Sequence, residues 1–140
     1  MHVPISSLVR GPATLTRLMV LGLVLLAGCG GDDPTRFQSI AGRYTLRSVN
    51  GSPVPYADPN GGGEYLDGFF DLNADGTWGE QLHIFYGRPN TTSSTGTFAL
   101  DGTAITLTNP VTAINTVRRG TLDGSTLTVN EPSSLRVYTK

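Results

Sequence analysis

The chain of 140 residues has one cysteine, two histidines, one tryptophan and two methionines. A single cysteine excludes an internal disulfide framework, so the domain has to be held by its apolar core. Only His2 and His83 supply imidazoles, too few for a histidine-rich metal centre. Ten basic residues stand against eleven acidic ones. No basic run offers the electrostatic footprint of nucleic-acid binding. Long hydrophobic runs are missing too, since Leu18 to Leu26 is about half of the roughly 20 residues that span a bilayer. No stretch sustains the helical period of apolar residues either, which points to an all-β fold.

The N-terminal segment has the layout of a secretory signal. Arg10 and Arg17 precede the apolar run, and small residues follow it. Leu26-Ala27-Gly28-Cys29 resembles the bacterial lipobox, in which the cysteine thiol takes a diacylglycerol and the cysteine becomes the new N-terminus. The resemblance implies that residues 1–28 are a lipoprotein signal peptide and that Cys29 is the lipidation site. Several acyl chains, palmitate among them, anchor durably because each buried methylene contributes about 0.8 kcal/mol. Gly30, rather than aspartate, after the cysteine resembles lipoproteins passed to the outer membrane. The expected location is the bacterial cell envelope, lipid-anchored and facing the periplasm.

Processing at Cys29 would leave 112 residues, enough for one domain and too few for two. That remainder keeps eight basic and eleven acidic residues. Residues 29–39, rich in glycine and aspartate, read as a flexible tether, and the domain proper as residues 40–140.

Beyond the tether, β-branched and aromatic residues alternate with polar ones in short runs cut by glycine-containing turns. The runs are Arg43 to Val49, Glu64 to Leu72, Thr77 to Tyr86, Ser94 to Leu100, Thr103 to Asn109, Val117 to Leu122, Ser125 to Val129 and Leu135 to Tyr138. Period-two alternation assigns inward faces to Leu66, Gly68, Phe70 and Leu72. It does the same for Trp78, Leu82, Ile84 and Tyr86 together with Glu80, and for pairs such as Phe98 and Leu100 or Leu135 and Val137. Eight short antiparallel strands in hairpin order hide their edges best by closing, so the expected fold is a small up-and-down β-barrel.

Three segments carry a family resemblance: Ile40-Ala41-Gly42-Arg43-Tyr44-Thr45-Leu46, Leu72-Asn73-Ala74-Asp75-Gly76-Thr77-Trp78, and Gly96 to Gly102 with Ile105 to Thr108. The chain from Ile40 to Lys140 is similar to bacterial lipocalin-like lipoprotein domains. In that group a Gly-x-Trp or Gly-x-Tyr on the first strand packs across the barrel bottom, and Gly42-x-Tyr44 matches it. The resemblance implies a ligand inside the barrel and a lid formed by the loop Gly51 to Gly63.

Asp71-x-Asn73-x-Asp75-Gly76 imitates the start of a calcium loop. The twelfth position is Leu82 where a glutamate is needed, so a hairpin turn is expected and no metal. His83 with Ser93 or Ser94 lacks a nucleophile-elbow context, and Asp67 with Asp71 reads as a solvated face. No catalytic residues and no cofactor are expected. Arg118-Arg119 sends one arginine to each strand face. Arg119 is the candidate for meeting an anionic head group, with an edge charge as the alternative.

Two functions follow. In the first, the barrel binds a small apolar or amphiphilic ligand through Tyr44, Trp78, Tyr86, Phe98 and Arg119. In the second, the interior is filled and the protein is a structural or interaction module meeting another envelope protein.

Overall fold

The computed structural model describes residues 34–110 and 116–140; Cys29, the signal segment and the first part of the tether lie outside the described residues. One short helix, α1 (Pro34–Ile40), precedes ten strands. These are β1 (Gly42–Val49), β2 (Ser52–Pro53), β3 (Tyr56–Ala57), β4 (Glu64–Leu72), β5 (Thr77–Phe85), β6 (Pro89–Asp101), β7 (Ala104–Asn109), β8 (Thr116–Asp123), β9 (Thr126–Asn130) and β10 (Leu135–Thr139). Each long strand pairs antiparallel with its neighbour. β1 pairs with both β10 and β4, which closes an eight-stranded up-and-down barrel. The two-residue strands β2 and β3 add to β1 and β4 outside that ring.

Turn chemistry sets the hairpins. Asp101 pairs with Ala104 and Asp123 with Thr126, leaving two-residue loops whose first residue is glycine. Gly102 and Gly124 take φ of 58° and 56°, the left-handed value a type II′ turn requires at that position.

The alternation read from sequence holds along β5 to β9, where Trp78, Leu82, Ile84, Phe98, Ile105, Leu107, Leu127 and Val129 are all buried. It fails at three places. In β4 the register shifts between Tyr65 and Asp67, so Leu66 is the extra residue, and Tyr65 shares a face with inward Ile84. Tyr65, expected outside with Asp67, therefore packs against the core. In β10 the expected faces are reversed. Arg136 and Tyr138 are buried and Leu135 is exposed, because Arg136 finds its counter-charge inside the barrel. Tyr86 lies one residue past the end of β5 and is 51% exposed.

One end of the barrel is closed. The helix α1 covers part of the expected tether, and its Phe37 meets Phe98 edge-on at 4.9 Å. An apolar ring with a core to cover gives this segment packing that composition alone did not suggest. Tyr44 donates its hydroxyl to the Ile40 carbonyl at 2.7 Å, and Lys140 donates to the Ala41 carbonyl at 2.5 Å. Above them Phe70 stacks on Trp78 at 5.3 Å and meets Tyr138 edge-on at 5.6 Å. Aromatic side chains thus fill the closed half of the interior.

Candidate functional site

In the opposite half of the interior, polar side chains join the apolar ones. Glu80 on β5, Arg118 on β8 and Arg136 on β10 are all buried at inward positions, and Glu131 follows β9. Arg118 Nη1 donates to Glu80 Oε2 at 2.7 Å and to Glu131 Oε1 at 2.6 Å. Arg136 Nη1 donates to Glu80 Oε1 at 2.7 Å, its Nη2 lies 3.1 Å from Glu131 Oε1, and its Nε donates to Ser134 Oγ at 3.3 Å. The Tyr138 hydroxyl, standing on the aromatic layer, also donates to Glu80 Oε1. Two guanidinium groups and two carboxylates therefore form a cage of zero formal charge.

Burial opposes ionisation of Glu80, but Arg136 and Arg118 outweigh it and hold its carboxyl below the ordinary value. Burial likewise disfavours the charged form of both arginines. Glu80 more than restores it, so both pKa values rise. Burial, then the charge of Glu80, pushes the Tyr138 phenol well above its usual range. Glu80, Arg118 and Arg136 stay ionised at neutral pH.

One group in the cage is unsatisfied. Arg118 Nη2 is buried and has no hydrogen-bond partner among the described residues. The guanidinium carbon sits 4.5 Å over the Trp78 ring, whose face is a far weaker acceptor than an oxygen. The cage lines a cavity of about 260 Å³, from which Nη2 itself is closed off. Its lining adds Leu82, Thr92, Ser94, Asn109 and Thr116 to the cage residues, so Leu82 is its one apolar wall. The volume falls a little below the roughly 300 Å³ of the smallest drug-sized pockets.

No family model, no curated protein and no solved structure matches the chain. What stands is the closed eight-stranded antiparallel barrel itself, an architecture consistent with the lipocalin-like resemblance.

The five residues expected to contact a ligand are not brought together. Tyr44 is fully buried at the closed end, and Phe98 packs there on Phe37. Trp78 is the floor beneath Arg118, with its indole nitrogen donating to the Thr97 carbonyl at 2.9 Å. Tyr86 stands on the rim. One arginine goes to each face as expected: Arg119 points outward, so it does not meet a ligand inside the barrel, and Arg118 points inward, where it pairs with Glu80. A clue was present in the sequence: Glu80 alternates in phase with Trp78 and Leu82, and a carboxylate on an inward face demands a buried cation.

The loop from Gly51 to Gly63 stands at the polar end, on the β1 and β4 side, with Val54 and Tyr56 packed against the core. None of its residues lines the cavity. On the outer wall His83 Nδ1 lies 2.5 Å from Asp67, and Arg43 grips Asp71 through two hydrogen bonds of 2.8 Å. Ser94 faces the interior and His83 the exterior, so these two are not juxtaposed. Asp75 accepts from the Thr77 amide at 2.9 Å and from its hydroxyl, which shapes the segment from Asp71 to Gly76 as a hairpin turn.

Proposed function

We propose that this chain is a lipid-anchored envelope protein of the outer membrane that works by binding rather than catalysis. Its barrel takes a small molecule whose polar part enters the cage of Glu80, Arg118, Glu131 and Arg136. The observation that carries this reading is the cavity of about 260 Å³ lined by all four charged cage residues. A purely apolar ligand fits poorly, because burying it against four charged groups leaves their hydrogen-bonding capacity unmet. An amphiphilic one fits better, since Phe85, Tyr86, Val117 and Leu135 are exposed at this end of the barrel.

The anchor sets the orientation. Five residue steps from Cys29 to Pro34 reach at most about 18 Å. A nine-residue strand tilted by about 40° gives the wall a height of roughly 20 Å. Since α1 lies at the closed end, that end faces the anchoring membrane and the mouth faces away from it. The ligand is then met in the periplasm.

The alternative, an interaction module, draws on the filled closed half and the exposed apolar rim. Titration of the protein with small polar and amphiphilic compounds, read by fluorescence of its only tryptophan, Trp78, separates the two. A saturable change supports binding, and silence across the series favours the interaction module. Exchange of Cys29→Ala is expected to release the protein from membranes; persistent attachment would refute the anchor.

A further inference from the structure

We propose that the open edge of β6 receives an extended, uncharged segment of another envelope protein as an added antiparallel strand. The proposal stands apart from the small-molecule reading above. Its basis is a mismatch of strand lengths. β5 pairs with residues 89–97 of β6, whereas β7 ends at Asn109 and pairs only with residues 97–101. Residues 89–95 therefore have β5 on one side and no strand among the described residues on the other.

The direction of the backbone groups follows from one bond. Phe98 donates its amide to the Gly76 carbonyl, on the β5 side. Groups alternate along a strand, so Thr91, Ser93 and Thr95 turn amide and carbonyl to the open side. Pro110 stands where β7 would continue, and without an amide hydrogen it cannot bond the Thr95 carbonyl. The edge also lacks the protection that blunts natural edge strands, which is charge, a bulge or an internal proline. No charged residue falls between Arg88 and Asp101, the pairing with β5 has no register shift, and the one proline is the first residue of the strand. Residues 89–93 are exposed. Such a row of donors and acceptors is a template for strand addition.

An anchor at Cys29 argues against a second copy as the occupant. Two copies related by a two-fold axis pair here antiparallel about Ser93, which inverts one barrel against the other. Their closed ends then lie roughly 40 Å apart, two wall heights. A tether of about 18 Å ties only one of them to a given membrane. A periplasmic segment of a different protein meets no such conflict, because the edge is at the end facing away from the membrane. Register fixes the chemistry of that segment. Its residues opposite Thr91, Ser93 and Thr95 share the outer face, where β-branched side chains pack on threonine neighbours. Those opposite Thr92 and Ser94 point inward, toward the cavity that these two line. A charge there would stay unpaired beside a cage whose own charges already cancel. About five residues fit, β-branched outside and small and uncharged inside.

The test uses the full chain in a polyoxyethylene detergent and the peptide acetyl-Val-Ser-Val-Ser-Val-amide, read by calorimetry and residue-resolved amide hydrogen exchange. In the free protein Thr91, Ser93 and Thr95 should exchange about tenfold or more faster than Thr92 and Ser94, whose amides face β5. Equal protection of both sets in dilute protein would mean a closed edge and overturn the proposal. Saturable peptide binding should slow those three amides selectively; protection confined to other residues would put the peptide elsewhere and overturn it. N-methylation of the central valine should weaken binding about tenfold or more, and so should Ser93→Pro, which removes an edge amide without touching the β5 ladder. Ser93→Thr should bind as the parent does. Undiminished binding of the N-methylated peptide would mean that the main chain is not read, and silence of the parent peptide would remove the partner class. Protection of the same amides that rises with protein concentration alone would make a second copy the occupant and overturn the proposal. Each of these outcomes leaves the small-molecule reading standing.

Discussion

Replacing Glu80 with leucine tests the buried cage most directly. Glu80 accepts from Arg118, Arg136 and Tyr138, and its side chain is 4% exposed. Its removal leaves two guanidinium groups sharing Glu131 alone, with Arg136 Nη1 and the Tyr138 hydroxyl deprived of their acceptor. Breaking a buried pair by removing one partner costs about 3–5 kcal/mol, well above the ~0–1 kcal/mol of a surface pair. With an m-value of about 1–3 kcal/mol/M, the urea midpoint should fall by roughly 1–5 M at unchanged slope. The fourfold variant Glu80→Leu, Arg118→Met, Glu131→Gln, Arg136→Met removes both charge signs together and should recover most of that loss, because apolar groups of similar volume often replace buried ion pairs at little cost. Equilibrium urea unfolding followed by Trp78 fluorescence and by circular dichroism reads both variants. A loss below about 1 kcal/mol for Glu80→Leu alone would mean that these pairs are as well solvated as surface ones. The account of a buried, mutually neutralised cage would then be wrong.

Other perturbations probe the remaining parts of the argument. A methyl group on Gly96 would stand 1.9 Å from the Thr108 carbonyl oxygen and 2.8 Å from the Trp78 indole nitrogen, so Gly96→Ala should destabilise by about 1–3 kcal/mol in thermal or urea unfolding. Arg119→Ala on the outer wall should stay within about 0.5 kcal/mol of the parent, whereas Arg118→Ala should cost several times more; equal effects in urea melts would contradict the assignment of faces. Stability should fall on both sides of neutrality. The lowered Glu80 pKa supplies stability that is present above the ordinary carboxylate range and lost as pH falls through it and below. Burial raises the pKa values of Tyr44, Tyr65 and Tyr138, so their contribution is complete below about pH 10 and is lost above it. Thermal midpoints measured from pH 3 to pH 11 should show both limbs, and an alkaline limb without an acid one would count against the ionised Glu80.

The sequence by itself determined the class and order of the strands. Alternating β-branched and aromatic residues, cut by Asp-Gly turns, can satisfy their backbone hydrogen bonds and bury one face only as short antiparallel strands. Eight of these in hairpin order leave closure as the way to pair both edges. The boundaries of β4, Glu64–Leu72, were legible to the residue, because Gly63 and Asn73 bracket a run rich in aromatic and apolar residues. That Phe70 and Trp78 face inward in adjacent strands could be read from the same alternation, but not that they pack into a floor rather than line a pocket.

Tertiary structure decided what lines the interior. Whether Arg118 or Arg119 points inward, and whether Leu135 or Arg136 does, depends on which neighbour across the barrel offers a counter-charge. Glu80, Arg118 and Arg136 are separated by 38 and 56 residues, and local alternation cannot see across such gaps. The bulge at Leu66 similarly turned Tyr65 inward by adding one residue to a register that only pairing with β5 reveals. A period-two pattern specifies a face up to a one-residue slip, and buried charges choose between the two alternatives because an unpaired one is too costly to keep. Closure of the barrel brought those charges together and made its open half a polar cavity.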